Sequence, residues 1–327
     1  MSTILIKNGT LVDGSGSKRY LGDILIENEK IKKIGKLEVI ADNIIDASGK
    51  IVSPGFIDTH SHSDLRVLIE PFVEPKIRQG ITTEILGQDG ISMAPLPEKY
   101  VSSWRKNLAG LDGDSDELRW DWNNTDSYLN LISKTGSGPN ELYLVPHGNI
   151  RMEVMGLEAR EATKEELEKM KEITRREMEA GVAGLSTGLI YIPCAYAETE
   201  ELIEICKIAA EYGRPLVIHQ RSEADTMLES MQEVIRIAKE SGVKIHFSHF
   251  KICGQKNWKL IEPVIALLDK CKEEGINVSY DQYPYVAGST MLGVILPPWA
   301  HAGGTDKLIE RLRDKDLRKK MKEDIIN

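Results

Sequence analysis

GFIDTHSHSD, residues 55–64, closes an apolar run on two histidines one residue apart, with Asp58 two positions before the first. In a strand, side chains two apart share a face, so Asp58, His60 and His62 point one way if the strand runs through them. Two neutral imidazoles on one side of a strand end can chelate a single cation. An H-x-H pair is weak evidence alone, because surface pairs and satisfied core histidines are common. Its weight depends on what the rest of the chain brings to it.

Two later apolar runs end the same way, PLVIHQ on His219 and VKIHFSHF on His249. They belong to a series of seven: IVSPGFID, ITTEILGQ, LYLVPHG, VAGLSTGL, PLVIHQ, VKIHFSHF and NVSYDQYPY. Helical patterns lie between most of them, notably over 163–180, 198–212 and 224–240. Strands alternating with helices give βα units and a parallel sheet. Polar, histidine-bearing residues recur at the C-terminal ends of these strands, where a (β/α)8 barrel places its active site. The expected fold is therefore α/β, a TIM-type barrel over residues 51–327. Seven strands are read, a helix follows over 305–325, and the eighth strand is absent, so the barrel is expected to be incomplete. Residues 1–50 alternate apolar and polar positions between N-G, D-G and S-G turns and predict a small β-sandwich portion.

The chain of 327 residues has 42 basic and 51 acidic side chains, a net charge of −9 with histidine neutral. That balance offers no footprint for nucleic acid or an anionic membrane surface. Apolar runs are strand-length and the N-terminus MSTILIKNGT lacks a signal-peptide pattern, so a soluble cytoplasmic protein is expected. Cysteines 194, 206, 253 and 271 show no C-x-x-C spacing, which argues against a disulfide framework or a cysteine zinc knuckle.

Four imidazoles suit one metal ion, or two sharing an anionic bridge. Asp89, in ILGQDGIS at the end of the second strand, is placed to supply the anion; its other reading is a D-G turn residue. His246 has parity opposite to His249 and reads as outward-facing and structural. His147, ending LYLVPHG, admits ligand support, substrate contact or a capping role. His301 lies in a loop without a nameable partner. Lys251, two after His249, reaches toward the same cavity, where a cation suits a carboxylate or developing oxyanion. Arg221, two after His219, is either a further substrate contact or half of a structural ion pair. Asp58 is expected to orient a ligand, and Asp281 to sit deeper than the ligands.

The order H-x-H after strand one, His after strand five and His after strand six resembles that of the amidohydrolase superfamily. PGFIDTHSHSD, GVAGLSTGLIYIP, VIHQRSE, SHFK, YDQYPYVAGST and ILPPWAHAGG are similar to its D-aminoacylase (N-acyl-D-amino-acid deacylase) branch, over essentially the whole chain. This resemblance implies zinc, one or two ions, with His60 and His62 on one and His219 and His249 on the tighter-bound one. It also implies substrate contacts from Tyr191, Lys251, Tyr283 and Ser289. The chain departs from the pattern at Asp89, where the branch commonly has cysteine; carboxylate is a harder ligand and admits manganese, cobalt or iron as well. The branch's general acid/base aspartate, in an S-D-G motif after strand eight, has no counterpart and is expected beyond Asn327. Hydantoinase- and dihydroorotase-like members use a carboxylated lysine, and residues 181–193 contain none.

The implied activity is metal-dependent hydrolysis of linear amides, small-molecule N-acyl-D-amino acids giving D-amino acid and carboxylate. The alternatives are a dihydropyrimidinase- or hydantoinase-like cyclic amidase, and a catalytically incomplete metal-binding fragment. The 327 residues alone are expected to bind metal without turnover. Unpaired strand edges predict self-association, or a second polypeptide that completes the barrel.

Overall fold

The computed structural model describes residues 2–326, which divide into two compact units between Phe56 and Ile57. In the first unit, β1 (Thr3–Leu11), β2 (Tyr20–Glu27), β3 (Lys30–Gly35), β4 (Asn43–Asp46) and β5 (Ile51–Val52) form one mixed sheet. The order is β3-β2-β1-β4. β1 is antiparallel to β2 but parallel to β4, and β5 adds to β1 in parallel at Thr10 and Leu11. Ile51 and Val52, read from sequence as the start of the first barrel strand, thus belong to this sheet. Ser53-Pro54-Gly55 breaks the run, as a proline without an N–H and a glycine would.

The second sheet takes β6 (Phe56–Asp58), β7 (Ile81–Leu86), β8 (Asn140–Pro146), β9 (Gly184–Gly188), β10 (Leu216–His219), β11 (Ile245–Phe247) and β12 (Val278–Tyr280). These are the seven strands expected, in sequential order β12-β11-β10-β9-β8-β7-β6, parallel and curled as part of a barrel wall. Helices Lys164–Glu179, Thr199–Glu211, Met227–Ser241 and Ile261–Glu273 cross between successive strands. The first begins at a capping box, Thr163 with Glu166, and buries Met170, Thr174 and Met178 at helical spacing. β9, β10 and the last four residues of β8 are buried on both faces, as expected of a parallel sheet covered by helices.

The helix expected over 305–325 is two, Thr305–Arg313 and Lys315–Ile326. Asp314 lies between them in extended backbone, and its carboxylate accepts the Asp316 and Leu317 amides, restarting the helix. Among the described residues no helix is long and apolar enough to cross a membrane.

Candidate metal centre

β6 ends at Asp58, four residues short of His62, which strand parity needs it to reach. His60 and His62 sit instead on the irregular segment that follows, and both still reach Asp89: their Nε2 atoms lie 3.6 and 3.4 Å from its Oδ2. Asp58 holds this segment in place. Its Oδ1 accepts the His60 amide at 3.2 Å, and its Oδ2 pairs with Lys76.

Asp89 stands in a single tight turn, Gln88–Gly90, just past the end of β7. Gly87, Asp89 and Gly90 all have left-handed φ, 78°, 58° and 71°. Glycine is required on either side: a Cβ on Gly87 would overlap the Leu144 carbonyl oxygen, and one on Gly90 would meet Thr187 Cα at 2.7 Å. Aspartate tolerates that conformation better than most residues. Ser186 on β9 donates to the Gly87 carbonyl and accepts the Gly90 amide, and Asp64 Oδ1 accepts the Gly87 amide at 2.8 Å. The turn expected as one reading of Asp89 is present, and it aims the carboxylate at His60 and His62.

From the far side, His249 Nε2 lies 3.8 Å from Asp89 Oδ1 and 2.8 Å from His219 Nδ1. Donor atoms of His60, His62 and Asp89 form one set within 4.8 Å of each other, and those of Asp89, His219 and His249 a second. The five side chains picked from sequence therefore converge, with Asp89 common to both sets. His249 itself has φ 37°, a costly backbone for a residue with a Cβ. Asp281 fixes it by accepting its amide on Oδ1 at 2.5 Å.

Burial holds His219 down at about 4, so it is a neutral donor at ordinary pH. Burial also opposes charge on His62, but the Asp112 and Asp89 carboxylates outweigh it and raise its pKa well above the usual histidine value. Asp89 is pulled well below the carboxylate range: burial works against ionisation, and His60, His62 and His219 overcome it.

Several neighbours were missed or misplaced by sequence reasoning. Glu223 accepts from Lys251 Nζ at 2.7 Å and faces His249 Nδ1 at 3.0 Å; it lies in the quoted VIHQRSE, four residues after His219 and beyond the end of β10. Asp281 is not deeper than the donors; its Oδ2 is 3.8 Å from His60 Nδ1 and 2.9 Å from His246 Nε2. His246 is tied to Ser279 and Asp281, a supporting place away from Asp89. Lys251 does reach the cluster, donating to the His249 carbonyl at 2.9 Å, and its Nζ lies 5.4 Å from the Tyr283 ring centroid. Tyr191, buried with its ring 5.3 Å from that of His219, bonds Thr290 at 2.8 Å, while Ser289 beside it is exposed.

Arg221 turns away to Glu233 and the Ala195 and Ala197 carbonyls. His147 is fully buried between Thr187 and Glu201, outside both donor sets. His301 bonds the Gly293 carbonyl at 3.0 Å. Next to Tyr191 opens a cavity of about 540 Å³, lined largely by apolar side chains including Leu189, Ile192, Met291 and Leu296.

Residues 43–264 match the amidohydrolase family. The chain is 36% identical to a D-aminoacylase of Alcaligenes xylosoxydans xylosoxydans, over 88% of this chain and 58% of that protein. It therefore spans a little over half the length of that curated relative. Its fold superposes on the N-acyl-D-glutamate deacylase of Bordetella bronchiseptica, solved with zinc and a phosphonate inhibitor, with TM-score 0.81 at 35% identity. That match covers 86% of this chain and 58% of the other. A D-aminoacylase structure described by its binuclear metal centre matches at TM-score 0.82 and 32% identity, covering 98% of this chain and 69% of that one.

Proposed function

The chain belongs to the amidohydrolase family, and from that premise we propose that it carries the metal centre of a hydrolase of linear amides whose substrates are N-acyl-D-amino acids. The observation that carries this reading is the Asp89 carboxylate, 2% exposed and set among four imidazoles, with Oδ1 lacking any hydrogen-bond partner. Leaving a buried carboxylate oxygen unsatisfied costs free energy, and a cation beside it would remove the cost. The donor set of nitrogen and carboxylate oxygen fits zinc, and accommodates manganese, cobalt or iron.

His60, His62 and Asp89 would hold one ion, and Asp89, His219 and His249 the other. A divalent cation bound there acts as a Lewis acid, polarising an amide carbonyl and acidifying water. The chain's own groups supply orientation. Lys251, kept in place by Glu223 and the His249 carbonyl, presents positive charge toward the carboxylate of an amino-acid substrate. Tyr283 lies beside Lys251 and Tyr191 beside His219, and the apolar cavity next to Tyr191 has room for an acyl or side-chain group.

Residues 181–193 contain no lysine to serve as the carboxylated bridge of cyclic amidases, and Asp89 occupies the place of the shared anionic donor. That disfavours hydantoins and dihydropyrimidines as substrates. The test is elemental analysis followed by turnover in the full-length protein. At least one equivalent of divalent metal is expected, with N-acetyl-D-methionine cleaved in preference to its L form and to hydantoin. No metal after incubation with zinc, manganese or cobalt would overturn the centre; ring-opening as the best reaction would overturn the substrate class.

A further inference from the structure

We propose that Asp112 is the positioning residue for His62: its carboxylate takes the Nδ1–H, which leaves Nε2 as the free donor facing Asp89. This inference rests on the metal-centre reading. The His62 ring stands between two carboxylates at equal distances, with Nε2 3.4 Å from Asp89 Oδ2 and Nδ1 3.4 Å from Asp112 Oδ1. The Asp112 side chain has no solvent exposure, and among the described residues neither of its oxygens has a hydrogen-bond partner, His62 Nδ1 at 3.4 Å being the nitrogen that faces it. A buried carboxylate with no donor is costly, and the imidazole N–H is the group placed to satisfy it.

The segment bearing Asp112 is fixed. The Asp112 amide donates to the Leu108 carbonyl at 2.9 Å, at the end of the helix Val101–Leu108. That helix buries Trp104, whose indole N–H donates to the Ser92 carbonyl at 2.7 Å. Ser92 in turn bonds Asp64, and Asp64 accepts the Gly87 amide of the Asp89 turn. Asp112 and Asp89 are therefore set against opposite nitrogens of one ring by a continuous chain of contacts. Asp114 and Asp116, its neighbours in LDGDSDE, pair instead with Arg105 near the surface. Asp112 alone of the three turns inward to a histidine. An imidazole whose second nitrogen is held by a carboxylate keeps one tautomer and one orientation, and losing that support typically weakens metal binding about 10–100-fold.

The rival arrangement is a cation among His62, Asp64 and Asp112, whose donor atoms also lie within 4.8 Å of one another. Zinc titration of the wild-type protein and Asp112→Asn, with metal counted at saturation, separates the two. Asp112→Asn should bind the same number of ions as wild type with the weaker one about 10–100-fold weaker, while the thermal melt of the metal-free protein stays close to wild type. Nitrogen-15 spectra of the zinc-loaded wild type, with the His62 signals identified by their loss in His62→Gln, should show Nδ1 protonated and Nε2 metal-bound. That measurement decides the matter even if Asp112→Asn fails to fold. An unchanged zinc affinity in Asp112→Asn overturns the proposal and leaves the centre standing. So does one ion fewer at saturation, or zinc on His62 Nδ1. A wild-type protein that takes up no zinc overturns the centre and this inference together.

Discussion

Replacing Asp89 by asparagine removes the charge common to both donor sets and almost nothing else. Asparagine has the same shape and tolerates the left-handed backbone, so the φ of 58° adds little confusion to the comparison. A single positive charge at His62 Nε2, 3.4 Å from Oδ2, is attracted by about 5 kcal/mol at an effective permittivity of about 20. Desolvation takes back much of this, and deleting one partner of a buried charge pair typically costs about 3–5 kcal/mol. The zinc dissociation constant should therefore rise by about two to four orders of magnitude, measured by competition with a chromophoric chelator. Asp89→Cys should recover zinc binding but not manganese, since thiolate prefers the softer ion. An Asp89→Asn protein that binds zinc as tightly as wild type would refute the reasoning, because the carboxylate would then be serving only the turn.

His219→Ala and His249→Ala should each lose the tighter ion, whereas His246→Ala, whose ring contacts Ser279 and Asp281, should keep the metal count at saturation; equal losses in all three would erase the distinction drawn from their geometry. Gly87→Ala places a Cβ against the Leu144 carbonyl in left-handed backbone and should destabilise the fold by about 2–5 kcal/mol, read as a lower melting temperature. Buried His147 is raised to about 9: burial lowers its pKa, and Cys194 and Glu201 more than reverse that. A raised histidine stabilises fully below its unfolded value of 6.5, and this contribution fades as pH climbs through about 9. It amounts to roughly 3 kcal/mol, and denaturant melts on either side of that window should show the slope in wild type and its loss in His147→Gln.

The strand ends and their histidines were legible because both are short-range signals: an apolar run terminated by a polar donor is visible in ten residues. The sheet order followed from the βα alternation. What failed to show was whatever depends on a side chain's second neighbour in space. Strand parity placed His60 and His62 on one face, yet β6 stops at Asp58, and a hydrogen bond to the His60 amide does the aiming instead. Asp281 was expected deeper than the donors, yet β12 ends at Tyr280, so Asp281 stands just past the strand end and reaches His60 and the His249 amide. Asp112 lies in the acidic run LDGDSDE, which carries no local signal for a buried member, and it is the contact to the preceding helix that turns this one carboxylate inward. Glu223 shares strand parity with His219, but β10 ends at His219, so parity carries no direction that far along the chain.

Those unread residues share one geometry. His60 Nδ1 faces Asp281, His62 Nδ1 faces Asp112, and His249 Nδ1 faces Glu223, so three of the four imidazoles have a carboxylate behind the nitrogen turned away from Asp89. Two of the positions with left-handed, non-glycine backbone, Asp89 and His249, lie in the same cluster, each at a cost of order 1–3 kcal/mol. A fold keeps such strain only where surrounding contacts over-determine it, and here Ser186, Asp64 and Asp281 do so. Backbone strain at the donors and carboxylates behind them push toward the same end. They hold nitrogen and oxygen donors close together at fixed angles before any cation arrives, so binding does not have to order them.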